Sequence, residues 1–537
     1  MFFIINDLKE CISALKLKFD DQKELVKLVK NNSFNGFSST IIFQLKSENH
    51  KKIADSIVEW FLKNKKDNYQ NVFIANNNFI NFQISYQKYL EYLIKTPCFT
   101  KKNIKILIES VSANPTGRIH LGHVRIAFFG DVLNNLAKLL GYTTVCEYWV
   151  NDYGQQARVF SFSVYQSLQL KKNIAIQQHP DGYSGIVIDK IASEIENFPV
   201  DNLNFEEFCK TSFLDHFLVN CTQKVLSLIK SDLNKIHVFI DSWKFESEIV
   251  KKTNFNDLLE QLKPNSYFYQ DNALWLKTTL YGDDKDRVLI KSDKRASYFG
   301  TDVAYHLEKL QRGFDILFNV WGTDHEGHIK RMYCAFDALK NTTKTSLKIF
   351  ALQLVTLYKN KELVRLSKRA GNVITIETML SMISEDAARW FMLSQNNGTI
   401  IKIDLDIANL QNSANPVYYV QYAFARMNSI LRIVNSDQLK EITDCSLLIN
   451  EKEISLLNQL VYYPFMLQKA METGELHLLT NFLYETASLF HSWYKVCKIN
   501  DDKNSLLSAQ RLALLRSLQF IVKQILDVLK ISTPQQM

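Results

Sequence analysis

Only 16 glycines and 8 prolines interrupt a chain of 537 residues. Glycine supplies the left-handed backbone that tight turns need, and proline stops helices. Ordinary shares are near 7% and 5%, so this chain has few tight turns and few helix breaks. That favours a helix-rich architecture and excludes collagen-like, linker-like and small all-β folds. Hydrophobic residues make up 46% and charged residues 22%, which excludes a disordered chain. At about 150 residues per domain, the length predicts three to four domains.

Lysine and arginine outnumber aspartate and glutamate by 64 to 56, a net charge of +8. Such a balance permits a polyanionic partner without demanding one. The cysteines, Cys11, Cys98, Cys146, Cys209, Cys221, Cys334, Cys445 and Cys497, occur singly, so C-x-x-C zinc or redox motifs are missing from the sequence. The apolar run at 2–5 is too short for a signal segment, and no apolar stretch approaches the length of a membrane span. A soluble, cytoplasmic protein with reduced thiols is expected, with no membrane partner.

Phe2, Ile5, Leu8, Ile12 and Leu15 recur at three- and four-residue steps and predict an amphipathic helix. Ile53, Ile57 and Phe61 repeat the pattern, and 71–75 with 79–84 read as a hairpin turning through Asn76, Asn77 and Asn78. A short apolar strand at 104–108 then enters a turn-rich loop, followed by a helix with Val124, Ala127, Phe128, Val132, Leu136 and Leu139 on one face. Strand, loop and helix in that order open a nucleotide-binding α/β unit, with phosphates expected near the helix N-terminus. A second buried strand is predicted at 314–320, ending at Trp321-Gly322. The stretch 160–290 mixes helical and strand-like segments, and from Ala387 onward nearly everything is helical, with long Leu/Ile/Phe stripes.

Two segments carry chemistry. His120-Leu121-Gly122-His123 stands where the loop enters the helix, with two imidazoles one turn apart beside the positive helix end. This suits a negatively charged phosphoryl transition state, and Gly122 leaves room for a flat base against the backbone. A surface histidine pair and part of a metal site are the other readings of the same residues. Far downstream, Arg365-Leu366-Ser367-Lys368-Arg369-Ala370-Gly371-Asn372 is a basic loop of the kind that clamps a triphosphate.

The two segments together, in this order, resemble the HIGH and KMSKR signatures of class I aminoacyl-tRNA synthetases. Arg365 and Leu366 depart from the first two letters of the second signature, while Ser367, Lys368 and Arg369 agree. Further stretches are similar to arginyl-tRNA synthetases: Glu109 with 112–117, Asn151-Asp152-Tyr153-Gly154-Gln155-Gln156, Trp321-Gly322-Thr323-Asp324-His325-Glu326-Gly327-His328, Asp386-Ala387-Ala388-Arg389, and the run from Asn415 to Ala423. Phe79-Ile80-Asn81-Phe82 resembles the end of that family's N-terminal additional domain.

The resemblance implies a fold: an α/β Rossmann-type catalytic domain, an N-terminal α+β additional domain and an all-α C-terminal anticodon-binding domain. The expected boundaries are 1–95, 96–385 and 386–537. It implies arginine–tRNA ligase activity with ATP, magnesium accompanying the ATP and not held in a structural site. The partners implied are L-arginine and tRNA(Arg), and the family suggests a monomer. His120, Gly122, His123 and Lys368 would be catalytic. Pro115, Thr116, Gly117, His120, His123, Ser367, Lys368 and Arg369 would bind ATP. Glu109, Asn114, Asn151, Gln155, Tyr298, Asp302 and Asp324 would bind arginine, whose guanidinium needs carboxylates and a hydroxyl. Phe79, Asn81, Tyr418, Tyr422 and Met537 would touch tRNA. Rival readings are a synthetase for cysteine or glutamate, opposed by the missing zinc-type cysteines and the carboxylate-rich pocket, and an RNA-binding module with an inactive core.

Overall fold

The computed structural model describes residues 2–18, 28–31, 34–46, 49–75, 78–95, 98–252, 255–323, 326–340, 344–364, 374–434, 442–501 and 503–537. The chain forms two compact units, Lys101–Asn409 and the pair Met1–Thr100 with Leu410–Met537.

In the first unit a parallel sheet is built from β1 (Lys105–Glu109), β2 (Thr143–Val150), β3 (Ser242–Phe245), β4 (Ile316–Gly322) and β5 (Ser346–Leu352). Ile106, Leu107 and Ile108 are buried on both faces of β1, the continuous apolar run that a covered parallel strand requires. The strand order is β5-β4-β1-β2-β3. The chain therefore walks outward from β1 to β3, returns across β1, and walks the other way. The reversal between β1 and β4 opens a crevice beyond their carboxyl ends, where ligands collect in such sheets.

The helices that position the site are α1 (Leu121–Leu139), α2 (Gly154–Lys171), α3 (Leu214–Lys235), α4 (Tyr298–Gln311), α5 (Glu326–Ala338), α6 (Ile376–Met382) and α7 (Glu385–Leu393). The predicted stripe of α1 is buried at Val124, Ala127, Phe128, Val132 and Leu136, and so are its polar residues Arg125, Asp131 and Asn134. At Gly130 a Cβ would lie 2.4 Å from the Ser110 side chain, so the helix meets the end of β1 through bare backbone. Leu107, Val303, Leu307, Leu317, Met332 and Phe336 join the sheet to α4 and α5 in one apolar cluster.

Two details depart from the sequence reading. The tail after Ala387 is not wholly helical: Ile401–Asp404 pairs in parallel with Val355–Lys359. Its alternation buries Ile401 and Ile403, the period of a strand. The stretch 160–290 resolves into α2, α3, shorter helices and an antiparallel sheet of Tyr267–Gln270, Ala273–Leu276 and Arg287–Ile290.

In the second unit an antiparallel sheet runs in the order Leu28–Asn31, Gly36–Ser39, Ile80–Ile84, Tyr69–Ile74. The predicted hairpin is its last pair, with Ile74 opposite Ile80; the turn at Asn76 and Asn77 lies outside the described residues. The N-terminal helix Phe2–Ala14 buries Ile4, Asp7, Leu8, Cys11 and Ile12, one position away from the expected Phe2 and Ile5. The stripe turns inward at Asp7 because its carboxylate accepts the Tyr69 hydroxyl at 2.7 Å and the Asn68 amide at 3.1 Å. Pro416–Ile433, Glu451–Thr473, His477–Val496 and Ser505–Leu529 make a helical bundle. N-terminal residues pack on it: the Tyr89 hydroxyl donates to Asn458 Oδ1 at 2.8 Å, Ser455 Oγ donates to Asn35 Oδ1 at 2.8 Å, and Lys30 pairs with Glu485.

Arg389 ties α7 to α1. Its guanidinium is buried over the Phe128 ring and donates to Asp131 Oδ2 at 2.9 Å, Glu385 Oε1 at 2.8 Å and the Ile236 carbonyl at 2.7 Å. Arg389→Ala removes the cation from a buried carboxylate, which costs about 3–5 kcal/mol. Denaturant unfolding of the full chain is expected to show that loss, with Arg389→Lys recovering only part of it because Lys lacks the fork.

Candidate active site

The loop leaving β1 is held in a costly shape. Val111 and Ser112 have φ of 70° and 38°, a region that a β-branched residue avoids. Ser112 Oγ accepts the Trp149 amide at 3.1 Å, and the Tyr148 hydroxyl donates to the Ala113 carbonyl at 2.7 Å. Both anchors come from β2, so the sheet itself fixes the loop. Asn114 and Asn151 meet at 2.6 Å, and the Thr116 amide closes the Pro115-Thr116-Gly117 turn onto the Asn114 carbonyl at 2.7 Å.

The turn then delivers His120 as the N-cap of α1. Its Nδ1 accepts the Gly122 amide at 3.2 Å, while His123 Nδ1 accepts the His120 amide at 3.5 Å, a capping box made from two imidazoles. The rings lie 3.8 Å apart. Because each Nδ1 is an acceptor, each proton sits on Nε2. Burial pushes both rings below the ordinary histidine value of 6.5, His123 to about 3 with His120 a smaller cause. At neutral pH the turn therefore carries two neutral N–H donors, not two imidazolium charges. Arg125, one turn into the helix, is buried and donates to the carbonyls of Gln353 at 2.6 Å, Thr399 at 3.0 Å and Asn396 at 3.1 Å. These bonds pin α1 to the segments beyond β5.

The basic loop 365–372, with Ser367, Lys368 and Arg369, lies outside the described residues. The segment that follows it meets the histidine turn directly: the Leu121 amide donates to the Ile374 carbonyl at 2.9 Å, and His120 bridges Thr375. Asp324 and His325 also lie outside the described residues.

The candidate arginine pocket is partly assembled. Tyr298 and Asp302 stand one turn apart on α4, and the Tyr298 hydroxyl approaches Gly154, three residues beyond Asn151. Gln155 is exposed beside it. His328, in the first turn of α5, brings its Nε2 to 2.7 Å from Asp302 Oδ2. Glu109 has a partner within the protein. Its carboxylate pairs with the buried Lys309 of α4, and Trp321 Nε1 reaches its other oxygen at 3.4 Å.

Glu246, which sequence reasoning did not single out, completes the pocket. It follows β3, is buried, and faces Asp302 and Asp152. Burial, then Asp302, then Asp152 push its carboxyl up to about 8. Asp152 is oriented by the Ser247 amide at 2.9 Å and hydroxyl at 2.6 Å. Three acidic groups that raise the cost of one another's charge form an arrangement that a bound cation would relieve. No local signal marks Glu246, which opens a Glu-Ser-Glu run after the mixed-polarity strand Ser242–Phe245 in the segment that resisted parsing. Lys309 was signalled by its place one helical turn beyond Tyr305 and His306 on the polar stripe of α4 that also carries Asp302.

In the second unit Phe79 packs edge-on against Phe43 at 5.9 Å. Asn81 is not presented to a ligand: it is buried and accepts the Ser38 hydroxyl at 2.6 Å, inside the sheet. Tyr418 and Tyr422 are half-buried and stack in parallel at 6.4 Å, with Arg426 on the Tyr422 hydroxyl at 2.9 Å. The C-terminal tail runs along the same helix through Gln421 with Ser532 at 2.8 Å and Arg432 with the Gln535 carbonyl at 3.2 Å, leaving Met537 exposed.

Residues 87–453 match the family of tRNA synthetases class I (R), catalytic domain, and residues 420–537 match the DALR anticodon binding domain. A Mycoplasma pneumoniae arginine–tRNA ligase is 63% identical over 537 residues, covering 100% of both chains. A Bacillus subtilis arginine–tRNA ligase is 35% identical, with 99% of this chain and 98% of that protein covered. The solved Thermus thermophilus arginyl-tRNA synthetase superposes with a TM-score of 0.72 over 99% of each chain at 15% identity, a likeness of fold.

The depressed histidines link folding to acid. Unfolded, a histidine takes up its proton near 6.5; folded, His123 resists until about 3. Its contribution to stability is thus complete above pH 6.5 and is lost as pH falls toward 3. A thermal melt of the wild type against His123→Asn, repeated from pH 7.5 to 4.5, is expected to show the wild type losing more stability on acidification than the variant.

Proposed function

The chain belongs to the class I arginyl-tRNA synthetases, and from that premise we propose how its site works. The protein activates L-arginine with ATP and transfers the arginyl group to tRNA(Arg). In the first step an arginine carboxylate oxygen attacks the α-phosphorus and pyrophosphate leaves. In the second, a hydroxyl of the terminal tRNA ribose attacks the acyl carbon and AMP leaves. Neither step needs a covalent bond to a side chain, so positioning and electrostatics carry the rate.

ATP enters with its magnesium as substrate at the crevice between β1 and β4. The Nε2–H groups of His120 and His123 donate to phosphate oxygens as charge develops, Lys368 grips the departing phosphates, and Ser367 and Arg369 flank it. Pro115, Thr116 and Gly117 shape the turn above the nucleotide, and Gly122 leaves the base its place. Asp302, Tyr298 and Glu246 take the guanidinium; Asn114, Asn151, Gln155 and Asp324 take the α-amino and carboxylate groups. Glu109, already neutralised by Lys309, shapes the pocket floor. The observation that carries this reading is the acidic trio of Glu246, Asp302 and Asp152 gathered at the Tyr298 end of α4. Lysine has charge without the planar fork, and citrulline has nearly the shape without the charge.

Residues 1–95 serve as the additional tRNA-binding domain, 96–385 as the catalytic domain and 386–537 as the anticodon-binding domain, in a cytoplasmic monomer. Tyr418, Tyr422, Met537 and Phe79 offer apolar and aromatic surface for unstacked bases.

Pyrophosphate exchange with tRNA present tests the pocket. Asp302→Asn is expected to raise the KM for arginine by on the order of 10²-fold or more, leaving the KM for ATP nearly unchanged; lysine and citrulline should fail as substrates. Below about pH 8 Glu246 must give up its proton before it pairs with a guanidinium. The KM for arginine should therefore fall as pH rises from 6.5 to 9, and Glu246→Gln should flatten that slope. For the RNA surface, Tyr418→Ala should weaken tRNA binding by about 1–3 kcal/mol in a filter-binding assay without changing the KM for arginine. Wild-type affinity in that variant removes Tyr418 from the interface.

A further inference from the structure

Asp302 is held at two points by two different histidines. Its backbone carbonyl accepts His306 Nδ1–H at 2.8 Å, a bond made within α4. That bond secures the backbone but leaves free the side-chain torsions that decide where the carboxylate oxygens lie. The side chain is met from α5, where His328 Nε2 lies 2.7 Å from Asp302 Oδ2. An ionised carboxylate only accepts, so Nε2 carries the proton and donates it to the bond.

The His328 imidazole is itself placed by two rings. Phe299, in the first turn of α4, stands edge-on to it at 6.0 Å. Trp321, near the end of β4, tilts over it at 5.6 Å. The donor is therefore positioned by the central sheet as well as by its own helix. The His328 side chain is 19% exposed and that of Asp302 is 32% exposed. One oxygen of the carboxylate is taken from within the protein while the group stays open to solvent on another side.

The chemical effect follows from what two competing cations need. With Oδ2 engaged by His328, Asp302 offers Oδ1 in one fixed direction. A guanidinium is planar and gives its N–H bonds along set lines, so it gains from an oxygen already oriented along one of them. An ammonium is a point charge on a flexible stem and gains nothing from that direction. An untethered Asp302 would serve lysine as well as before and arginine less well, because the carboxylate would have to be ordered during binding. We propose that His328 is a positioning residue that sets amino-acid specificity: through Oδ2 it orients the Asp302 carboxylate, so that the pocket reads a planar fork and not merely a positive charge. The proposal rests on the arginine-pocket reading above, in which Asp302 meets the guanidinium.

The test uses the full chain with tRNA in pyrophosphate exchange, comparing wild type with His328→Leu, His328→Phe, His328→Gln and Asp302→Asn. Arginine is the varied substrate, and lysine is titrated as a competitive inhibitor. His328→Leu removes the donor and is expected to raise the KM for arginine about 10-fold, the lower end of what a hydrogen bond to a charged group contributes. Its kcat and its KM for ATP should stay close to wild type. The Ki of lysine should also stay nearly unchanged, so the preference for arginine over lysine falls by the same factor as the KM rises. His328→Gln, whose amide brings an N–H close to the place of Nε2–H, should recover most of the loss. His328→Phe keeps the ring contacts with Trp321 and Phe299 while losing the donor, and it carries the test if the melting temperature shows that His328→Leu unfolds. A wild-type KM for arginine in the folded donor-less variants overturns the proposal. So does a loss of lysine affinity as large as the loss for arginine, which marks a collapsed pocket. If Asp302→Asn raises the KM for arginine and the donor-less variants do not, the pocket stands and the role of His328 falls. An unchanged KM for arginine in Asp302→Asn overturns the pocket reading, and the proposal with it.

Discussion

The catalytic unit is organised around one buried ion pair. Lys309 of α4 and Glu109 at the end of β1 meet where neither has access to water, at the point where the sheet reverses direction. Each charge is tolerable there only because the other is present; removing one leaves a buried charge that costs about 3–5 kcal/mol. The pair is braced by Asn319 of β4, whose Oδ1 accepts from Lys309 at 3.1 Å and whose amide donates to His306 at 2.9 Å. His306 in turn donates to the Asp302 carbonyl at 2.8 Å. Burial, with Lys309 second, keeps His306 neutral. A continuous polar thread thus joins both central strands to the helix that presents Tyr298 and Asp302, and it makes the crevice and the pocket one rigid object.

Around that object, charge is distributed with little waste. The histidine turn is neutral, and the two arginines nearest to it are held by carboxylates at Arg118 and by carbonyls at Arg125. The positive charge proposed to meet a triphosphate is therefore not drawn from these two arginines. The acidic trio stands on the opposite side of the requirement, with more negative charge than it can neutralise until a cation arrives.

The strands and the long helix α1 were legible because local pattern and burial agree there: apolar runs bounded by turns, and a stripe at helical spacing. The histidine turn was legible for the same reason, being a local motif at a local boundary. What failed to show was whatever depends on contact across the fold. Asn81 was expected to touch tRNA from the resemblance of its hairpin end, but Ser38 from another strand takes its side chain inward. The pairing of Glu109 with Lys309 did not show, because nothing in the segment around Glu109 announces a lysine 200 residues away. Glu246 was invisible because its role is set by Asp302 and Asp152, neither of which is near it in sequence. The charge state of the histidines was equally hidden, since burial is a property of what surrounds them.

The termini share one unit, and that has a consequence for how the protein is made. Tyr89 and Asn35 find their partners at Asn458 and Ser455, and Lys30 its partner at Glu485. Between them lies the whole of the other unit, Lys101–Asn409. At about 5–20 residues per second on the ribosome, the first hundred residues emerge and then wait some tens of seconds for the surface they are meant to cover. During that interval the face destined for the bundle is bare, while the intervening unit is able to complete its own core. The order of synthesis is therefore opposite to the order of closure, and the earliest residues of the chain are among the last to reach their native contacts.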